Sequence, residues 1–226
     1  MSINRYHLQV LIVEAVALIV VCLVAFVVAW VRTLPESGRA EAFMQDFTKL
    51  EVGKSTFEDA KRAARKHGGQ PEPGSGPCTY EACVFQFLYQ NKPLSSTYVV
   101  PYVGFIGTLV LKNGVLAERD IHYVRYSKRP FAYNVREMVL PEGNSPQAQG
   151  MRRLIGFRRM NVDSAGIPSA VSVGLSPSTS ADERRRAYAL DATCLSKLFG
   201  CGDPSAFFPH NIPYQGPPLQ TDTETW

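Results

Sequence analysis

The first thirty residues have a different hydrophobic pattern from the rest of the chain. Apolar side chains fill Leu8–Val31 almost without interruption, and Gln9 and Glu14 are the only strongly polar positions there. A helix of this length spans about 36 Å at about 1.5 Å per residue, which is enough to cross a bilayer core. Because such a helix is apolar on every face, lipid suits it better than water. We predict a short cytoplasmic N-terminus at residues 1–7 and a transmembrane helix at residues 8–31.

Two processing routes compete with a permanent anchor. The apolar stretch is longer than the core of a signal peptide, which has about 7–15 residues. The segment Val27–Ala29 nevertheless offers a site where a peptidase could cut after Ala29. A lipoprotein needs small residues before an acylated cysteine, whereas Val20 and Val21 precede Cys22. The pattern favours an uncleaved signal-anchor, with cleavage after Ala29 as the alternative.

Residues 36–208 carry helical and strand patterns typical of a folded domain. Apolar residues at helical spacing in Phe43–Leu50 predict a short helix. A capping box at Ser55–Glu58 starts a second helix, and Gly68–Gly69 ends it. Gly53 lies between the two. The sequence therefore predicts a helix hairpin with Gly53 at its bend.

Strand patterns follow the hairpin, and the Asn113–Gly114 pair among them is typical of a tight turn between two strands. Short helices are predicted near the end of the domain, before a proline-rich loose tail at residues 209–226. This order of elements predicts an α+β fold, in which the helix hairpin packs on an antiparallel sheet and short C-terminal helices follow. The predicted strands are residues 82–90, 96–102, 105–111, 115 onward, 131–140 and 167–175, and the helices are 180–190 and 192–199.

Composition and charge exclude several classes of protein. The chain of 226 residues is 45% hydrophobic, which is too apolar for a disordered protein. Its net charge of +4 is mild, so we predict no nucleic-acid partner.

The five cysteines predict the cellular compartment. Cys22 lies in the apolar segment, whereas Cys78 and Cys83 form one locally spaced pair and Cys194 and Cys201 form another. Two local disulfides are typical of an oxidising compartment, which places the domain outside the cytoplasm. Free buried thiols in a cytoplasmic domain are one alternative. A four-cysteine zinc site is another, although the second spacing is wider than zinc ligands usually have. We predict no metal and no cofactor.

The region between the two predicted helices resembles a known family. Leu50–Thr56 resembles the L-x-x-G-x-S/T segment of the BamE/SmpA/OmlA envelope lipoproteins, and Leu109–Val115 is loosely similar to their hairpin. The resemblance covers about residues 40–126 and implies two helices on a small antiparallel sheet in the cell envelope. The chain departs from the family in lacking a lipobox and in having Gly68–Gly69 where the family has Gly-x-Pro. Otherwise the pattern resembles single-pass bacterial membrane proteins of unknown function.

Candidate catalytic residues are few. Asp120 and His122 are two positions apart in a predicted strand, so they share a face, and the carboxylate could orient the imidazole. A solvated strand face is the simpler interpretation. The sequence contains no nucleophile elbow and no phosphate loop.

A second candidate site is basic. The segment from Arg119 to Arg159 has nine Lys or Arg residues and three acidic ones. The pairs Arg152, Arg153 and Arg158, Arg159 lie within it. A solvated basic face is the simpler interpretation, and a surface for anionic lipid, cell-wall polymer or an acidic partner is the alternative.

The sequence therefore predicts a membrane-anchored extracytoplasmic protein, and not an enzyme. It would contact the bilayer through residues 8–31 and have a binding, assembly or scaffolding role with a protein or anionic envelope partner. The alternative is a membrane-anchored hydrolase with a site near Asp120 and His122.

Overall fold

The computed structural model describes residues 5–97, 99–126, 131–139, 158–162 and 168–197. Within these ranges the chain has the predicted α+β class. Of the sequence predictions, the tail at 209–226 and the residues Arg152, Arg153 and Cys201 lie outside the described residues. The elements are α1 (Arg5–Phe47), α2 (Phe57–His67), β1 (Gln70–Pro71), β2 (Ala82–Gln90), α3 (Lys92–Ser95), β3 (Tyr102–Lys112), β4 (Val115–Tyr126), β5 (Phe131–Met138), β6 (Arg158–Val162), β7 (Pro168–Leu175), α4 (Ala181–Ala187) and a 3₁₀ helix (Ala192–Leu195).

The apolar segment and the first helix of the domain form one helix. α1 has 43 residues and runs without a break through Pro35. From Gln9 to Val31 its side chains are mostly exposed, and this part is long and apolar enough to cross a membrane. The second half of α1 buries Ala40, Phe43, Met44 and Phe47 in the core of the domain. The sequence patterns predicted two separate helices. The reason is that residues 8–31 are apolar on every helical face, whereas the next segment is apolar on one face only.

α2 is capped one residue later than the sequence predicted. The Asp59 N–H donates to Thr56 Oγ1 at 3.3 Å, and the Thr56 N–H donates to the Asp59 carboxylate at 3.0 Å. The predicted pair of Ser55 and Glu58 is wrong, since Ser55 Oγ instead accepts the N–H of Glu51 at 2.8 Å. Gly68 ends the helix at a φ of 73°, as predicted.

The sheet is mixed, so the prediction of an antiparallel sheet is wrong at one pairing. Its strand order is β1-β2-β3-β4-β5-β7-β6. All neighbours are antiparallel except β5 and β7, which are parallel. Parallel neighbours need a long connection. Here that connection carries β6 to the outer edge and leaves β7 between β5 and β6.

The predicted hairpin of β3 and β4 is confirmed, with Asn113 in its turn at a φ of 51°. The prediction of a strand at residues 96–102 is wrong, because β3 begins only at Tyr102. Asn91 explains the difference at 96–102. Its Nδ2 donates to the Pro101 carbonyl at 2.9 Å, and its Oδ1 accepts the Val103 N–H at 2.7 Å. The buried amide thus closes the segment as a loop containing α3, and β3 begins only after it.

The alternation of side chains along the strands determines which residues belong to the core. Odd-numbered side chains of β2, β3 and β5, and of β4 from Arg119 onward, face the helices, and even-numbered ones face the opposite side of the sheet. A β-bulge at the start of β4 shifts this register, so Leu116 lies in the core there. The Phe43 ring packs against Phe87 with 4.4 Å between ring centroids. A Cβ at Gly107 would lie 2.4 Å from the Phe43 ring, so this glycine allows α1 to approach the sheet.

Candidate functional site

The junction between the apolar half of α1 and the domain is closely packed. Trp30 Nε1 donates to the Ser196 carbonyl at 3.1 Å. Thr33 is fully buried, and its Oγ1 donates to the Ala29 carbonyl within the helix at 2.9 Å. α3, whose Leu94 is fully buried, and the 3₁₀ helix both contact α1. The domain therefore begins to pack on α1 at about the level of Trp30, with no linker between them.

One of the two predicted disulfides is confirmed. Cys78 and Cys83 are bonded, with 4.4 Å between their Cα atoms, and they join the loop before β2 to the second residue of that strand. Cys22 is a free thiol on the exposed half of α1. Cys194 is fully buried and is itself disulfide-bonded. Its pairing with Cys201 stays a prediction.

Asp120 and His122 share the face of the sheet opposite the helices, as the alternation along β4 predicted. Asp120 pairs with Thr108 on β3 and with Arg136 on β5. His122 pairs with Ile106 and Asn134 on the same strands. The two side chains are thus neighbours along one strand, and the residues paired with them on β3 and β5 are both polar and apolar.

Burial changes the acidity of both groups. It raises the pKa of Asp120 to about 6, and Glu118 adds to this effect while Arg136 opposes it. Asp120 Oδ1 is buried without a hydrogen-bond partner among the described residues. Burial also lowers the pKa of His122. The pair at neutral pH therefore consists of a carboxylate that is costly to keep charged and a neutral imidazole.

The structure describes two of the four arginines of the predicted basic site. Arg158 and Arg159 belong to β6, where their backbones pair with Val173 and Ser172 of β7. β6 is the last strand in the sheet order. Two of the four arginines therefore lie on an outer strand, and the anionic-partner surface stays a prediction.

A buried ion-pair network, which the sequence patterns did not predict, lies between the sheet and the helices. Arg119 is 1% exposed, and its guanidinium pairs with the carboxylate of Glu137 at 2.6 Å. The same guanidinium donates to the carbonyls of Phe47 at 2.8 Å and Leu50 at 2.6 Å. Arg184 of α4 contacts the other Glu137 oxygen at 2.9 Å. Two arginines thus share one buried carboxylate.

The network joins four parts of the fold. Arg119 comes from β4, Glu137 from β5 and Arg184 from α4, and the carbonyls belong to the C-terminal end of α1 and the residues after it. A cation at a helix C-terminus also matches the helix dipole. The sequence indication was an arginine at an odd, core-facing position of β4, between Ala117 and Ile121.

Comparisons with known proteins do not assign this geometry to a family. No protein-family model matches the chain, and neither a curated protein nor a solved structure gives a significant match. The resemblance to the BamE/SmpA/OmlA family therefore stays a prediction. Of the features described, the direct continuation of an exposed apolar helix into a domain core has the clearest bearing on function.

Proposed function

We propose that the chain is a single-pass membrane protein whose domain lies outside the cytoplasm and has a non-catalytic binding, assembly or scaffolding role in the cell envelope. The observation that carries the proposal is that α1 continues from an exposed apolar segment into the core of the domain. The first half of α1 exposes apolar side chains that only lipid or protein would cover, and its second half supplies Phe43 and Phe47 to the core. The anchor is therefore part of the fold of the domain.

The disulfide supports the extracytoplasmic side. Cytosolic reductants keep most thiols reduced, so a Cys78–Cys83 bond favours an oxidising compartment. With the domain on that side, the N-terminus of α1 faces the cytoplasm.

The buried charges support a structural role. Arg119 and Arg184 both form ion pairs with Glu137, and Arg119 also donates to the end of α1, so these charges hold the domain on its helix. A rigid connection between an anchor and a sheet suits a protein that presents a surface at a fixed distance from the membrane.

Labelling from outside the cell tests the proposal. In a Cys22→Ala background, the exposed Lys112 at the end of β3 is replaced by cysteine. We expect a membrane-impermeant maleimide to label Lys112→Cys in intact cells, and the Cys22→Ala parent gives the background. Labelling that requires permeabilised cells would place the domain in the cytoplasm and contradict the proposal.

A hydrolase is the second candidate function, because a buried carboxylate with a raised pKa is common at active sites. Its site would be Asp120 and His122. The test compares hydrolysis of ester and phosphoester substrates by the intact protein and by His122→Ala. An activity that falls at least a hundredfold in the variant while the thermal midpoint is unchanged would favour the hydrolase.

A further inference from the structure

One end of the sheet lies beside the point where α1 enters the domain. β2 ends at Gln90, directly before α3, which contacts α1. Gln90 pairs with Gly104 near the start of β3, and Tyr102 pairs with Tyr126 at the end of β4. These strand ends therefore lie at the same level as α3.

The opposite end of the sheet lies beyond the C-terminus of α1. It contains the Asn113–Gly114 turn, whose Gly114 carbonyl accepts the N–H of Phe57 at the start of α2. Arg119, further along β4 from the turn, already contacts the carbonyls of Phe47 and Leu50. We call this the distal end, and the end beside α3 the proximal end.

The length of the apolar helix fixes the height of the proximal end. Residues 8–29 form 22 helical positions, or about 33 Å at about 1.5 Å each, which matches a hydrocarbon core of about 30 Å. Trp30 then lies at the interface, where Trp side chains are enriched. Because Trp30 is hydrogen-bonded to Ser196 and α1 has no break, the domain has no linker that could lift it from this level.

The side chains at the proximal end suit that position. Val99 is 69% exposed and Tyr126 is 63% exposed, and Leu34 on α1 is 43% exposed. Lys92 and Arg32 are also exposed, and neither has an ion-pair partner within the described ranges. Aromatic, aliphatic and basic side chains together are typical of protein surfaces that contact lipid headgroups.

We propose that the proximal end, defined by Trp30, Leu34, Lys92, Val99 and Tyr126, lies against the headgroups of the bilayer that α1 crosses. The proposal rests on the proposed function, because it needs α1 in the membrane. It adds that the domain itself contacts lipid and is held in one orientation. The distal end then points away from the membrane and is the surface open to a partner.

Depth-dependent fluorescence quenching tests this contact in the full chain. Val99→Cys and Lys112→Cys, each in a Cys22→Ala background, carry an environment-sensitive fluorophore at the proximal and distal ends. Val20→Cys carries it within the apolar half of α1. The proteins are reconstituted in phosphatidylcholine vesicles that contain phosphatidylglycerol and a lipid spin-labelled either at the headgroup or in mid-chain. Val99, Lys112 and Val20 are all exposed positions, so each label fits without repacking the core.

We expect the headgroup label to quench the probe at Val99 at least threefold more than the probe at Lys112, and the mid-chain label to quench the probe at Val20. Equal quenching at Val99 and Lys112, with Val20 quenched, would overturn this inference and leave the membrane anchor in place. A shielded Val99 probe that no lipid quenches would also overturn it, since protein would then cover the proximal end. An unquenched Val20 probe would reject the proposed function itself.

Discussion

At the residue scale, single side chains connect parts of the fold that are distant in sequence. Asp46 on α1 accepts contacts from Lys66 Nζ at 2.6 Å and His67 Nε2 at 2.9 Å, both at the end of α2. It also pairs with Lys49. These contacts hold the pKa of Asp46 well below its usual range, with the bond from Lys66 as the largest cause. The carboxylate therefore ties the two helices of the hairpin together.

We expect Asp46→Asn to lower the free energy of unfolding by about 1 kcal/mol at pH 7, because partly exposed pairs each contribute about 0.2–1 kcal/mol. Since folding lowers this pKa, the contribution is present above the unfolded pKa of about 4 and is lost as pH falls below it. Urea unfolding at pH 7 and pH 2.5 measures the change. Glu58→Gln, which removes an exposed pair with Lys61 at 3.7 Å, is the matched control. An equal effect of both variants at pH 7 would contradict the prediction.

Asp120 should behave in the opposite way. Its pKa of about 6 in the folded protein lies above the unfolded value, so its contribution is present at low pH and is lost as pH rises through about 4–6. We expect Asp120→Asn to stabilise the protein by about 1–2 kcal/mol at pH 7 and to have little effect at pH 3. Thermal unfolding across this range measures it. A destabilised variant at pH 7 would show that the charged carboxylate is needed in the folded state.

At the scale of elements, the Arg119 network decides how the helices sit on the sheet. The guanidinium lies 4.5 Å from the centroid of the Tyr188 ring and binds the end of α1. Arg184 adds donors to the carbonyls of Pro177 and Thr179, which join α4 to the end of β7. Buried charges of this kind stabilise a fold only while all partners are present.

We expect Arg119→Ala to lower the free energy of unfolding by about 3–5 kcal/mol, because Glu137 and two backbone carbonyls would lose a donor in a dry site. Arg185→Ala, an arginine of α4 whose side chain is 78% exposed, should cost less than about 0.5 kcal/mol. Denaturant unfolding compares the two variants. We expect Arg119→Leu combined with Glu137→Leu to recover part of the loss, and no recovery would argue against an ionic origin.

At the scale of the whole molecule, α1 joins the apolar N-terminal segment to the core of the domain. The sequence patterns predicted separate helices at residues 8–31 and 43–50, whereas in the structure a single helix runs through Pro35. A proline inside a helix removes one backbone donor and usually bends it. Here the packing of Thr33, Ser37 and Ala40 against the domain, all buried, stabilises the helix around it.

We expect the protein extracted from membranes to retain residues 1–29. The reason is that the apolar segment exceeds the core of a signal peptide and continues directly into the fold. Intact-mass spectrometry checks this. Ala29→Leu, which removes the small residue before the alternative cleavage site, serves as control. A wild-type mass lower by residues 1–29, with the variant uncut, would show that the segment is a signal peptide.

The local patterns of the sequence determined the apolar helix, β2, the β3–β4 hairpin with its Asn113–Gly114 turn, and the shared face of Asp120 and His122. Each depends on residues close together in the chain, where periodicity and turn preference decide the structure. Spacing also predicted the Cys78–Cys83 bond.

Only the tertiary structure decided the parallel pairing of β5 with β7, the loop closed by Asn91, and the Arg119–Glu137–Arg184 network. These features depend on contacts between residues far apart in sequence. The hydrophobic periodicity of a short segment does not indicate which buried groups will contact each other. The joining of the apolar segment and the domain in one helix belongs to the same group, because packing against the domain outweighs the effect of Pro35 within the helix.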